Sequence, residues 1–165
     1  MTTEKRDTLP GDGRDETETE RLDRNWIEIL QELRVIQTGT QILTGFLLTV
    51  AFQQRFTELD QYQIDTYLAL VVLAALTTAL GLAPVSLHRT LFRMRAKARI
   101  VRIANRILKL TLGAVAVVLA GTILLIFDVV VSRAAGLTAG IIALVMISGT
   151  WLLLPLGAHR KHLNE

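Results

Sequence analysis

The segment Leu110–Phe127, LTLGAVAVVLAGTILLIF, decides the fold because it runs for 18 residues without a charged side chain. Three further charge-free stretches accompany it: Val35–Gln54 with 20 residues, Leu68–Leu87 with 20 and Ala134–Leu156 with 23. A bilayer core about 30 Å thick requires roughly 20 apolar residues at a rise of about 1.5 Å each. The sequence therefore predicts an all-α fold, a bundle of four transmembrane helices, and it excludes a small soluble domain.

The composition agrees with one small membrane domain. The chain has 165 residues, of which 51% are hydrophobic and 20% are charged. The length fits a single domain, and the two percentages together require that charged and apolar residues lie in separate segments. The chain has no cysteine. It is therefore neither a disulfide-stapled secreted module nor a zinc protein with thiolate ligands.

We expect a membrane domain over residues 22–156 with polar tails at both ends. Its spans are predicted at about 35–54, 66–87, 107–131 and 134–156. Residues 1–21 form an acidic tail with too little apolar surface to offset the entropy of ordering, so we expect disorder there. Residues 157–165 form a short basic tail.

An apolar stripe begins before the first predicted span. Its members recur at alternating intervals of four and three residues: Leu22, Trp26, Ile29, Leu33, Ile36, Thr40, Leu43, Leu47 and Val50. This spacing is typical of one face of a helix. The acidic residues Glu28 and Glu32 lie off the stripe, so the first part is amphipathic. The pattern predicts either one long helix over 22–54 or an interfacial helix that bends into the first span at Gly39.

The connection between the second and third spans is strongly basic, and no acidic residue occurs between Asp65 and Asp128. Its apolar residues recur with helical spacing at Leu87, Leu91, Met94, Ala98, Val101, Asn105 and Leu108. A basic amphipathic helix beside the inner leaflet attracts anionic lipid by about 1 kcal/mol per basic residue. We therefore expect anionic-lipid contacts, and no nucleic-acid binding, for Arg89, Arg93, Arg95, Lys97, Arg99, Arg102 and Arg106.

Basic residues in short loops remain on the cytoplasmic side of a membrane. The other two connections carry one basic residue each, Arg55 and Arg133. This asymmetry predicts that both termini and the basic connection are cytoplasmic. The acidic helix with Glu28 and Glu32 then emerges on the same side as the basic helix. We hypothesise that these two helices of opposite charge pair in a small cytoplasmic bundle.

Five residues are candidates for an ion pathway: Asp128, Gln37, Gln41, Glu28 and Glu32. Amide side chains in a membrane must face protein or water, so the glutamines form either interhelical hydrogen bonds or the wall of a polar cavity. Asp128 falls about 21 residues after the start of the third span, at the outer interface. There it caps a helix end, pairs with Arg133 or lines an ion pathway.

Small residues mark candidate packing positions on the last two spans. Gly136 and Gly140 form a small-xxx-small pattern, and Gly113 and Gly121 lie eight residues apart. Close approach of helix backbones in membranes requires such residues. The spacing does not distinguish contacts within the bundle from contacts in a homo-oligomer or a larger membrane complex.

No catalytic constellation is found in the sequence. The chain has no Ser in a Gly-x-Ser-x-Gly context and no glycine-rich phosphate loop. His159 and His162 lie in a basic tail that repels a metal dication, and His88 stands alone. We therefore predict that the protein is not an enzyme and binds neither a cofactor nor a metal.

Several short runs resemble a known family. They are Glu32–Val35, Gln37–Gly39, Gly45–Phe56, Ala83–Val85, His88-Arg89 and Val101–Arg106, and Phe52–Phe56, FQQRF, is the most specific. Over about residues 22–156 the chain is similar to an uncharacterised family of small four-span membrane proteins from actinobacteria. Its members are often labelled automatically as sodium:proton antiporters, and no family site residues carry over. The resemblance implies the cytoplasmic membrane of a bacterium.

Two functions follow from these patterns. An antiporter requires titratable groups that bind ions alternately from both sides, usually near mid-membrane. This chain has no charged residue at that depth in any predicted span. We therefore expect a non-enzymatic accessory, assembly or oligomeric structural protein, with a small transporter that works as an oligomer as the alternative.

Overall fold

The computed structural model describes the backbone of residues 16–91 and 97–162 and their side chains, except at 88, 90, 91, 97, 152 and 154–162. The elements of this described part are α1 (Glu18–Val50), a 3-10 helix (Gln54–Glu58), α2 (Gln61–Leu91), α3 (Lys97–Val130) and α4 (Arg133–His162). No strand occurs in it, so the prediction of an all-α fold is confirmed.

The helix α1 begins earlier than predicted because its first turn is capped. The side-chain oxygen of Glu20 accepts hydrogen bonds from the backbone N–H of Thr17 at 2.9 Å and from its hydroxyl at 2.6 Å. The Thr17 hydroxyl in turn accepts the N–H of Glu20 at 3.4 Å. This capping box satisfies donors that a helix start leaves free. The predicted disordered tail is thus wrong for residues 18–21, and its residues 1–15 lie outside the described residues.

The apolar stripe of α1 is confirmed, because each of its nine positions is buried or half-buried. The helix continues through Gly39 without interruption, as in the first of the two predicted alternatives. It ends at Val50 and not at residue 54. There the N–H groups of Phe52 and Gln53 bond the carbonyls of Thr49 and Val50, each three residues back. These tighter bonds end the α-helix.

Three helices in the described part are long and apolar enough to cross a membrane: Gln61–Leu87, Ala98–Val130 and Arg133–Trp151. They suggest a membrane protein. The helix α1 is not among them, because Gln37, Thr38 and Gln41 dilute its apolar segment. The helices that contain the other three predicted spans are longer than those spans, since α2 and α3 start earlier and α4 continues through part of the predicted tail to His162.

The chain divides into two compact units. Unit 1 draws on Met1–Gly39 and Ala79–Thr111, and unit 2 on Thr40–Thr78 and Leu112–Glu165. The boundaries fall within α1, α2 and α3, so each of these helices contributes to both units.

The core of unit 1 is formed by one face of each of its helix segments. Gly81 of α2 lies close to α1, since a Cβ there would lie 3.3 Å from Cγ of Gln37. The buried face of α3 differs from the predicted one, because Ala98 and Asn105 are exposed. The buried residues of unit 1 include Ile29, Leu33, Pro84, Ile100, Ala104 and Leu108.

Unit 2 has its core where the end of α1 meets the start of α2 and the second half of α3. The Tyr67 hydroxyl donates to the carbonyl of Leu47 at 2.9 Å, which satisfies an acceptor at the end of α1. The Phe56 ring packs edge-on against Tyr67 with centroids 5.1 Å apart. The buried core residues are Leu47, Tyr67, Leu70, Ala74, Val118 and Leu125.

Candidate functional site

A connection of two residues joins α3 to α4 in unit 2. The N–H of Ser132 donates to the carbonyl of Phe127 at 3.2 Å, which closes the end of α3. The Ser132 hydroxyl accepts the N–H of Ala135 at 3.3 Å and caps the start of α4. These hydrogen bonds on both sides of the turn hold its backbone in one conformation. Asp128 and Arg133 therefore lie on facing helix ends.

Asp128 is a buried carboxylate whose charge is compensated. Its side chain is 4% exposed, and Oδ2 lies 3.5 Å from Nε of Arg133. Its Oδ1 accepts a hydrogen bond of 3.2 Å from Nε2 of Gln63 on α2. Oδ2 has no hydrogen-bond partner among the described residues. A buried charge without such an ion pair would be strongly destabilising.

The Arg133 guanidinium is held on three sides. Nη2 donates to Oδ2 of Asp60 at 2.5 Å. Its Cζ lies 4.0 Å from the centre of the Tyr62 ring, a cation–π contact. Together with the Asp128 pair, these contacts join α2, α3 and α4. We call this set of residues the Asp128 cluster: Asp60, Tyr62, Gln63, Asp128 and Arg133.

The sequence interpretation missed Asp60, Tyr62 and Gln63. Asp60 and Gln63 form a second capping box, in which Oδ1 of Asp60 accepts the N–H of Gln63 at 2.9 Å. In return, Oε1 of Gln63 accepts the N–H of Asp60 at 3.1 Å. This orients the amide so that its nitrogen points to Asp128. The Asp-x-x-Gln pattern before an apolar run was the available signal.

Gly136 and Gly140 allow α4 to approach α3 closely. A Cβ at Gly136 would lie 2.7 Å from the carbonyl oxygen of Leu124 and 2.8 Å from Cβ of Asp128. At Gly140 the nearest atom, Cβ of Leu124, would lie at 2.8 Å. A Cβ at Gly121 would lie 2.5 Å from Cδ2 at the end of the Leu70 side chain.

Gly113 differs from the other three glycines. It is exposed, and apart from the backbone of its own helix turn and its chain neighbours, no atom of the described residues lies within 4 Å of its Cβ position. It is therefore not a packing position within the described part of the chain. Its contact with a second copy stays a prediction.

The two candidate glutamines have different surroundings. Nε2 of Gln37 is buried beside Gly81 and has no hydrogen-bond partner among the described residues. Gln41 is exposed. Within unit 2, Gln41 is not among the described hydrogen-bond or ion-pair partners of Asp128. The predicted polar cavity of Gln37 and Gln41 stays untested.

A groove between α1 and α3 in unit 1 contains the acidic candidates. Glu28 and Glu32 lie on one wall, and Arg102 lies on the other. The structure thus brings together the acidic and basic helices that the charge pattern pairs. The groove has a volume of about 260 Å³ and is lined by Asn25, Glu28, Ile29, Glu32, Val101, Arg102, Asn105 and Leu108.

The charges in this groove are not neutralised across it. Glu28 accepts a hydrogen bond of 3.1 Å from Arg24 on its own helix, and Arg24 also donates to Glu16 at 2.7 Å. Hydrogen bonds to Glu16 and Glu28 raise the pKa of Arg24 above its usual value, so it stays charged. Glu32 and Arg102 have no ion-pair partner in the described part of the chain.

The other basic residues that were predicted to contact lipid do not line the groove or the Asp128 cluster in the described part of the chain. Arg89, Arg99 and Arg106 are exposed. Arg93 and Arg95 lie outside the described residues, and so does the side chain of Lys97. Lipid contact by these residues stays a prediction. No group of three or more His, Asp or Glu side chains suited to a metal occurs in the described residues.

The chain matches one protein family, described as a family of unknown function (DUF6328), over residues 15–155. No curated protein and no solved structure matches it. The matched residues include all of α1, α2 and α3 and most of α4. The chain therefore belongs to the DUF6328 family of unknown function.

Proposed function

We propose that α1 supplies a fourth span, which makes the protein a bundle of four transmembrane helices. Residues 35–50 of α1 carry no charge and extend over about 24 Å, most of a bilayer core. Their outward positions include Val35 (75% exposed), Ile42 (58%) and Phe46 (68%), an apolar surface suited to lipid. The hydrogen bond from Tyr67 to Leu47 supports this proposal, because it aligns the end of α1 with the start of α2.

The proposed location is the cytoplasmic membrane of a bacterium, with both termini and the basic connection in the cytoplasm. The positive-inside rule supports this orientation, because the segment from Arg89 to Lys109 holds eight of the 18 basic residues. Asp60 and Arg133 then lie on the outer side. Their hydrogen bond agrees with this arrangement, since it joins the first and third connections.

Single cysteines test this topology directly, because the natural chain contains none. We expect a membrane-impermeant maleimide to label Thr57→Cys in intact cells and Gln31→Cys only after permeabilisation. Both positions are exposed. Ser132→Cys serves as the outer control. Equal labelling of Thr57→Cys and Gln31→Cys in intact cells would show that α1 does not cross.

Within this topology we propose a non-enzymatic role as an accessory, assembly or oligomeric structural protein. The observation that carries the proposal is the pairing of Asp128 with Arg133 at the end of α3. An ion-pathway carboxylate must exchange its counter-ion during transport, whereas Asp128 of α3 is held by Gln63 of α2 and Arg133 of α4. The charge-free stretches Leu68–Leu87, Leu110–Phe127 and Ala134–Leu156 also offer no titratable group at mid-depth.

A cation:proton antiporter is the second candidate. One observation favours it: Asp128 is the only acidic side chain among the described residues that is buried. Its Oδ2 also lacks a hydrogen-bond donor in the described part. An antiporter built from four spans would have to work as an oligomer.

Purified protein in sealed vesicles separates the two functions. With an imposed sodium or potassium gradient, we expect no proton flux above that of empty vesicles. Flux that disappears in Asp128→Asn and persists in Asp65→Asn would establish the antiporter. Solubilisation in mild detergent, followed by mass measurement, should recover the protein with a defined partner or as a defined oligomer. A monomer without a partner would contradict the accessory role.

A further inference from the structure

The groove between α1 and α3 in unit 1 presents two unpaired charges of opposite sign. Glu32 lies on one wall and Arg102 on the other, and neither has an ion-pair partner in the described residues. The buried side chains Ile29 (8% exposed) and Leu108 (5%) also line the groove. This combination is complementary to a ligand that carries an anion, a cation and an apolar part.

The groove lies beside the apolar segments of both helices. Glu32 is three residues before Val35, where the charge-free segment of α1 begins, and Leu108 is two residues before Leu110. At a rise of about 1.5 Å per residue, both are within about 5 Å of those segments. The head-group layer of each leaflet is about 5–8 Å thick. In the proposed topology the end of the groove at Glu32 and Leu108 therefore opens at the depth of lipid head groups. Arg102 is eight residues, or about 12 Å, before Leu110, so its long side chain has to extend along the groove toward that layer.

We propose that this groove binds the head group of an amine-bearing, zwitterionic phospholipid. The ammonium group of the lipid donates to the Glu32 carboxylate, and its phosphate accepts hydrogen bonds from Arg102. Such charge-assisted bonds are stronger than neutral ones, and the guanidinium fork matches phosphate geometry. Asn25 and Asn105 add amide donors and acceptors on the two walls. The inference rests on the proposed membrane topology but not on the accessory role.

The carboxylates decide which head group fits. An anionic head group without an amine gains Arg102 but brings its negative charge close to Glu28 and Glu32. Like charges at such distances disfavour binding. The exposed Arg99 and Arg106, by contrast, attract any anionic lipid. The groove is therefore selective for the amine, whereas the surrounding basic surface is selective only for negative charge.

Lipid titration of the full-length protein in detergent, followed by native mass spectrometry, tests this selectivity. The probes are phosphatidylethanolamine, phosphatidylcholine and phosphatidylglycerol with identical acyl chains. We expect the first phosphatidylethanolamine to bind about tenfold more tightly than phosphatidylcholine, whose trimethylammonium group has no N–H. Glu32→Gln should abolish this preference, and Arg102→Gln should weaken binding of both lipids. Glu18→Gln and Arg99→Gln, which change exposed residues outside the groove, should alter neither value.

Three results would overturn the proposal. The first is equal affinity of the unchanged protein for phosphatidylethanolamine and phosphatidylcholine. The second is equal loss in Arg99→Gln and Arg102→Gln, which would assign binding to general surface charge. The third is a lower melting temperature in Glu32→Gln and Arg102→Gln with unchanged lipid affinities, which would show that the two residues pair directly. Lipid binding is measured in detergent and topology by cysteine labelling in cells. A failure of the lipid proposal can therefore be distinguished from a failure of the proposed topology.

Discussion

The protein handles its charges in opposite ways in the Asp128 cluster and in the groove of unit 1. In the cluster a buried carboxylate, a guanidinium and a second carboxylate lie within hydrogen-bond or ion-pair distance of one another. In the groove Glu32 and Arg102 have no described ion pair. Side chains that form ion pairs with each other hold helices together, whereas charged side chains without such a partner remain available to a ligand. We infer a structural role for the first arrangement and propose ligand binding for the second.

The largest effect should come from the glycine that brings α4 against the Asp128 cluster. We expect Gly136→Ala to lower the free energy of unfolding by about 2–3 kcal/mol, because the new methyl group meets backbone atoms that do not yield easily. The melting temperature in detergent measures this. Gly113→Ala is the matched control: it should be neutral or slightly stabilising in this assay, since its site is open and alanine favours helix. Equal losses in the two variants would refute the close approach.

Removing the buried carboxylate should have the next largest effect. We expect Asp128→Ala to cost about 1–3 kcal/mol in unfolding free energy, less than for a fully buried pair, because Arg133 is 45% exposed and retains Asp60. Asp65→Ala is the control, since Asp65 is exposed and among the described residues accepts a hydrogen bond from Gln61 alone. A stable Asp128→Ala protein would remove the distinction between the cluster and the groove.

The tyrosine that bonds the end of α1 should contribute less. Tyr67→Phe leaves the carbonyl of Leu47 without its donor, which should lower the free energy of unfolding by about 1 kcal/mol. Tyr62→Phe is the control, because it keeps the ring that contacts Arg133. Chemical denaturation of both variants in the same detergent measures the difference. A loss in Tyr62→Phe as large as that in Tyr67→Phe would argue against the bond to α1.

The smallest stability effect should come from the groove. Glu32→Gln should change the unfolding free energy by less than about 0.5 kcal/mol, because its carboxylate is exposed and has no ion-pair partner in the part of the chain that the structure describes. Its effect should appear in lipid selectivity instead. A loss of unfolding free energy comparable to that of Asp128→Ala in the same thermal assay would show that the groove residues, like those of the cluster, form ion pairs with each other.

The sequence predicted where the helices lie better than it predicted which face of each helix is buried. The stripe of α1 is narrow, with apolar residues at four- and three-residue intervals, and it identified the buried face correctly. In α3 the apolar residues Ile100, Val101, Ile103 and Ala104 cover a broad arc, so spacing alone could not choose among faces. The predicted face was consequently wrong at Ala98 and Asn105.

The candidate site was predictable only where its partners are close in sequence. Asp128 and Arg133 are five residues apart, so the two-residue connection already suggested their pairing. Gln63 and Asp60 are separated from them by 65 and 73 residues, and only the tertiary fold brings them there. The groove likewise joins charges that the predicted topology places on one side of the membrane, but the individual contacts in it could not be predicted.

A double-mutant cycle on Asp128 and Arg133 tests most directly whether the ion pair of the cluster stabilises the fold. Unfolding free energies are measured in detergent for the unchanged protein, Asp128→Ala, Arg133→Ala and the double variant. We predict a coupling energy of about 1–2 kcal/mol, because Arg133→Ala leaves the buried Asp128 carboxylate without its counter-ion, whereas the double change removes that carboxylate as well. Additive losses, with a coupling energy near zero, would contradict a structural role of the Asp128–Arg133 pair and would favour Asp128 as an ion-pathway residue.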